Sequence, residues 1–208
     1  MKKLIPAVAI SLALGLLPAT VSAKPSAPDT SRVITKQILE DIRTWINTDV
    51  VRQSIIAQNV RYGDLTQDKI DALDKQWVEE REKADKPLIA ATLSNPLSVY
   101  LSRMQGKSVG LFVEIFVMDD KGLNVGQSSI TGDYWQGDEA KFQKTFPDGG
   151  MDMFIDEAEW DDSVNIWRAQ VNIPVYDEAG SKKIGAATIE INLTEAQRRL
   201  MPAAGEAF

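Results

Sequence analysis

The chain has 208 residues with 23 basic and 30 acidic side chains, a formal net charge of −7, and neither cysteine nor histidine. Without cysteine there are no disulfides, thiol nucleophiles or thiolate metal sites; without histidine there is no Ser-His-Asp or Cys-His arrangement, no histidine-held zinc and no imidazole base. An enzyme is left with carboxylate chemistry, a Ser-Lys pair or a hard cation held by carboxylates, and nucleic acid and anionic membranes are poor partners for so acidic a chain.

Met1 to Ala23 joins two lysines, an apolar middle from Leu4 to Leu17 and the small residues Val21, Ser22 and Ala23, the pattern of a cleavable secretory signal. Pro6 and Pro18 interrupt it, and its apolar core is short for a membrane span. Loss of this leader leaves 21 basic against 30 acidic residues, a net charge of −9. The expectation is an exported, periplasmic chain that begins near Lys24 and has no membrane insertion after cleavage. Residues 24–30 read as an extended linker, and 31–208 have the length of a single domain.

From Ser31, the apolar positions Ile34, Ile38, Ile42, Trp45 and Ile46 recur at helical spacing and predict one long amphipathic helix. Asn47, Thr48 and Asp49 predict a bend, with Thr48 or Asp49 capping a continuation through Val50, Val51, Ile55 and Ile56. Tyr62, Gly63 and Asp64 make a turn, and Thr66 caps a helix marked by Ile70, Leu73, Trp77 and Val78. Pro87 and Pro96 open two short helices, the second capped by Asn95 and stopped by Gly106.

The period changes at Val109. Leu111 to Met118 is an apolar run broken only by Glu114; Asp119 to Gly122 supplies turn chemistry, and Leu123 to Ser129 returns as a second strand. Further strands are predicted over Phe154 to Trp160, Asn165 to Tyr176 and Lys183 to Leu193, with short antiparallel connections. Thr194 and Gln197 fit a capping box for a final helix. Helices first and strands later give an α+β class.

Between the second and third strands stands ITGDYWQGDEAKF, a loop with two rings to bury. Strand, DDKG turn, strand and DYWQGDEAK together resemble the extracytoplasmic PAS-like sensor modules called PDC or Cache domains, in their small stand-alone periplasmic form. NTDVVRQSIIAQN at 47–59 and LTQDKIDALDKQW at 65–77 agree with that resemblance. It implies a long N-terminal helix packed on one face of a five-stranded antiparallel sheet, with a small ligand on the other face under loops. It also implies signal transduction through a membrane-bound kinase, cyclase or chemoreceptor, with no cofactor and no enzymatic activity.

On this reading Asp133, Tyr134 and Trp135 wall the pocket, and either pocket or plain core accounts for the two rings. No arginine stands at the spacing before Trp135 that amino-acid-binding relatives use. Alternation along the last two strands gives one apolar face, with Trp167, Ala169 and Val171, and one polar face, with Arg168 and Glu190, that is either solvated or ligand-lining. Glu190 occupies a position where many Cache domains carry an aspartate that pairs a ligand amine. Glu114, inside an apolar strand, needs a partner or a proton, and an ion pair with Arg168 or Lys141 is expected. The acids from Asp148 to Asp162 do not match a calcium loop and read as a solvated edge. No metal ligands or catalytic residues are assigned, and a Ser128 or Ser129 pair with Lys141 has nothing to place it. The alternatives to a sensor are an accessory subunit of an envelope complex and a carboxylate-dependent hydrolase.

Overall fold

The computed structural model describes residues 24–147 and 150–201; the leader and Asp148 lie outside them. The α+β class is as read from the sequence. Six helices lead into the sheet: α1 (Thr30–Val33), α2 (Lys36–Ile46), α3 (Asp49–Arg61), α4 (Gln67–Arg81), α5 (Pro87–Leu93) and α6 (Pro96–Lys107). The strands are β1 (Phe112–Met118), β2 (Asn124–Gln127), β3 (Phe154–Ile155), β4 (Glu159–Asp161), β5 (Ile166–Tyr176) and β6 (Lys183–Asn192), with α7 (Ala140–Gln143) between β2 and β3 and α8 (Leu193–Leu200) at the end. The sheet is antiparallel in the order β2-β1-β6-β5-β3, and β4 pairs with the same edge of β5 as β3. It therefore has the expected five lanes, because Asp156 to Ala158 split the strand expected over Phe154 to Trp160 in two.

The helical face of the sheet carries the main core. Ile42, Ile46, Val51 and Ile55 from α2 and α3, with Leu97 and Leu101 from α6, pack on Ile115 and Val117, Val171 and Ile173, and Ile189 and Ile191. Gly126 lies where a Cβ would come within 2.7 Å of Leu97, so α6 rests directly on the backbone of β2.

Several local expectations are corrected. The first helix is broken at Ile34, where ψ is 83°, because the Thr35 side chain accepts from the Ile38 amide and starts α2 afresh. Thr48 and Thr66 take the cap positions of α3 and α4 without a side-chain cap bond, whereas Asn95 caps α6 as read. Gly106 does not stop α6, which runs to Lys107. The final helix is capped by Asn192, which accepts from the Glu195 amide at 2.9 Å; Thr194 Oγ1 is engaged by the Trp167 amide instead. Residues 24–29 lie against the fold: Trp167 donates its indole N–H to the Pro25 carbonyl at 3.0 Å, and the Lys24 ammonium sits 4.3 Å from the same ring.

Candidate functional site

The other face of the sheet is polar, and strand register orders it into rows. Glu114, Glu190 and Gln170 stand in line across β1, β6 and β5. The next row runs Phe116, Thr188, Asn172 and Phe154, from β1 to β3. Thr188 Oγ1 donates to Asn172 Oδ1 at 2.8 Å, and Asn172 Nδ2 donates to the Phe154 carbonyl and to Asp156 Oδ2, each at 3.2 Å. Both residues are fully buried, so this row satisfies itself without solvent.

Part of this face is covered. Phe142 of α7 stacks on Phe146 at 4.9 Å and packs with Phe116, Met118 and Ala186 into an apolar plug. Beside the plug is a half-open groove of about 790 Å³. Lys141 lines it from α7 and Lys144 from the end of that helix, Phe154 and Asp156 from β3 and its continuation, and Arg168 and Gln170 from β5. That volume lies in the range of small-molecule sites.

The charges at the groove are largely engaged. Arg168 Nη1 lies 3.3 Å from Glu190 Oε2 and 3.4 Å from Asp161 Oδ2, while its buried Nε finds no acceptor among the described residues. Lys141 Nζ is 2.9 Å from Glu139 and 3.2 Å from Gln136 Oε1. Lys144 Nζ sits 3.8 Å from the centroid of the Phe154 ring, a cation–π contact. Burial raises the Glu190 carboxyl above its usual range against the pull of Arg168. Burial also raises Glu114, opposed by its hydrogen bond from Ser129 and reinforced by the Glu190 charge. The expected ion pair of Glu114 is not formed: Ser129 Oγ donates to it at 2.7 Å. Ser128 accepts from the Ile115 amide, so neither serine is paired with Lys141.

Of the five residues expected at a ligand site, Arg168 lines the groove and Glu190 is its ion-pair partner. Asp133, Tyr134 and Trp135 are placed elsewhere. Tyr134 is 3% exposed and stacks on Trp77 at 5.3 Å, in a second apolar cluster with Ile70, Ile89 and Leu123. Asp74 Oδ1 accepts from the amides of Tyr134 and Trp135 at 2.8 and 2.9 Å, and the Trp135 indole donates to the Lys121 carbonyl at 2.8 Å. Asp133 is exposed, and its carbonyl accepts from Asn124, Thr131 and Gln136. The loop is thus pinned to α4 and to the β1-β2 turn, and from there the chain enters α7 over the groove. Lys141, Lys144, Phe154 and Asp156 are the groove residues that sequence reasoning missed. For Phe154 and Asp156 the signal is an aromatic among the acids of 148–162, a stretch whose composition reads as a solvated edge.

No family model matches the sequence, and no curated protein matches it. Among solved structures, the ligand-binding domain of a Campylobacter jejuni chemoreceptor in complex with 4-methylisoleucine is 13% identical, with a TM-score of 0.37 over 80% of this chain. This chain spans 58% of that one. The ligand-binding domain of a Pseudomonas aeruginosa amino acid chemoreceptor in complex with GABA is 14% identical, with a TM-score of 0.36 over 79% of this chain and 64% of that one. The sensor domain of a V. cholerae histidine kinase is also 14% identical, with a TM-score of 0.37 over 81% of this chain and 61% of that one. These structural neighbours are sensory and ligand-binding domains of chemoreceptors and of a histidine kinase, and at this degree of similarity they inform neither the ligand nor the partner of this chain.

Proposed function

We propose that this chain is a non-catalytic, small-molecule-binding sensor module of the PDC/Cache type. The observation that carries the reading is the groove: about 790 Å³, on the sheet face opposite the helices, with a few placed polar groups around one aromatic ring. Arg168 and Glu190 are proposed to face the ligand as an ion pair, Glu190 holding the guanidinium. Asp133, Tyr134 and Trp135 are proposed to act through the loop, which fixes where α7 sits over the groove. The leader pattern supports export to the periplasm as a single module from residue 31 onward. Among the described residues no helix is long and apolar enough to cross a membrane. Signal output is proposed to pass to a membrane-bound kinase, cyclase or chemoreceptor, with the ligand shifting which conformation of the loop and α7 is populated.

A thermal-shift panel of amino acids, amines, carboxylates and purines on the purified protein tests this. A saturable rise in melting temperature with one class is expected, about 2.7 kcal/mol at a ligand concentration 100 times Kd. No shift across the panel, with no small molecule retained in native mass spectrometry, contradicts it and favours an accessory subunit.

A further inference from the structure

We propose that the groove takes an aliphatic polyamine, and that Lys144 competes with one of the ligand's ammonium groups for the face of Phe154. The inference rests on reading the groove as a ligand site and adds the chemistry of what enters it.

Each cation at the groove already has a counterpart: Lys141 has Glu139, Arg168 has Glu190 and Asp161, and Lys144 has the ring of Phe154. The one donor there without an acceptor among the described residues is the Arg168 Nε, and an anion reaching it would lie beside the carboxylates of Asp161 and Glu190. An ammonium has the easier entry. The ring of Phe154 already faces one, since the Lys144 ammonium lies 3.8 Å from its centroid, within the distance at which the aromatic quadrupole attracts a cation. Lys144 is otherwise exposed and forms no ion pair among the described residues, so displacing it costs one contact and no buried charge.

The acids beyond the ring set the shape of the ligand. Glu157 and Glu159 line the groove, and neither forms an ion pair among the described residues. Phe154 and Glu159 pair with Asn172 and Arg168 of β5, four residues apart, so roughly 13 Å separates them along the sheet edge. A carboxylate rim strung out over that distance beside a cation-binding ring suits a linear chain with several ammonium groups better than a compact amine.

Titration calorimetry with spermidine tests the inference on the wild type, Lys144→Gln and Phe154→Leu, with Lys36→Gln, a distant exposed position, as a control for simple charge. One site per chain is expected. Lys144→Gln should tighten binding by about two- to fivefold, the loss of one exposed cation–π competitor. Phe154→Leu keeps the apolar bulk and should weaken binding, and Lys36→Gln should change nothing. Lys144→Gln weakening or not changing spermidine affinity overturns the proposal, as does equal tightening by Lys36→Gln, which marks diffuse attraction to an acidic protein. If succinate or an amino acid binds in place of spermidine, the groove remains a ligand site and only the polyamine assignment falls. If none of the three binds and the full panel is blank, both fall.

Discussion

Glu114 of β1 and Glu190 of β6 stand directly opposite one another in the sheet, two carboxylates in one cross-strand pair beside the groove. Like charges placed this way destabilise a sheet by about 0.2–1 kcal/mol, and burial raises the pKa of both. Arg168 and Lys141 offset part of the repulsion and Ser129 hydrogen-bonds Glu114, but Glu190 is 6% exposed and still costs desolvation. A pair that weakens its own sheet is explained if the face serves a ligand.

The pair gives a stability test with a definite sign. A carboxyl whose folded pKa is raised contributes stability that is present in full below the unfolded value of 4.5 and is lost as pH rises through the folded value. Glu114→Gln keeps an acceptor for Ser129 and removes the charge. Its melting temperature should exceed that of the wild type at neutral pH, by about 0.2–1 kcal/mol of stability, and the gain should vanish as pH falls below the unfolded value. Melting curves of both proteins from pH 4 to pH 8 check this.

Tyr134 should behave as core. It lies 5.3 Å from Trp77 and is 3% exposed. Tyr134→Ala is expected to cost about 3–5 kcal/mol in urea unfolding, whereas Tyr134→Phe keeps the stacking and should cost far less. A loss below about 1 kcal/mol for the alanine variant, on the same scale, would show that the loop is not pinned by this ring.

Gly122 and Gly137 bring the β1-β2 turn against the loop after Trp135. A Cβ on Gly122, whose φ is +83°, would lie 2.6 Å from the Gly137 backbone, and one on Gly137 would lie 2.3 Å from the Trp135 indole nitrogen. Gly122→Ala should therefore destabilise by more than the roughly 1–2 kcal/mol of left-handed backbone strain alone. Calorimetric melting measures it.

The capping assignment of α8 separates two residues cleanly. Asn192→Ala should lose about 1 kcal/mol, because its side chain caps the Glu195 amide, and Gln197→Ala should lose almost nothing. Equal losses would restore the capping box read from Thr194 and Gln197.

Much of the fold was legible because its signals are local. The β1-β2 hairpin, the alternation of β5 and β6, and the prolines opening α5 and α6 all follow from short-range patterns, and the structure has each of them. The candidate site was legible only where strand alternation decides a face, which placed Arg168 and Glu190. What Tyr134 and Trp135 touch depends on α4, some 60 residues away: Asp74 and Trp77 take the loop, and nothing near DYWQGDE in the sequence says so. Residues 65–77 and 133–141, which both carry the resemblance, are two halves of one contact. Lys144 was likewise unreadable, because its partner is a ring ten residues on whose side of the sheet depends on β3 pairing with β5.

On the proposed function, a small molecule occupies the groove under α7. The chain has no cysteine, so a single introduced thiol can report on the site alone. Ala140 is exposed and lines the groove. With the compound that gives the largest thermal shift present at saturation, alkylation of Ala140→Cys should slow several-fold, while a control thiol at the exposed turn, Ser163→Cys, should react at its original rate. Unchanged alkylation of Ala140→Cys at saturating ligand would show that the compound binds elsewhere and that the groove is not the ligand site.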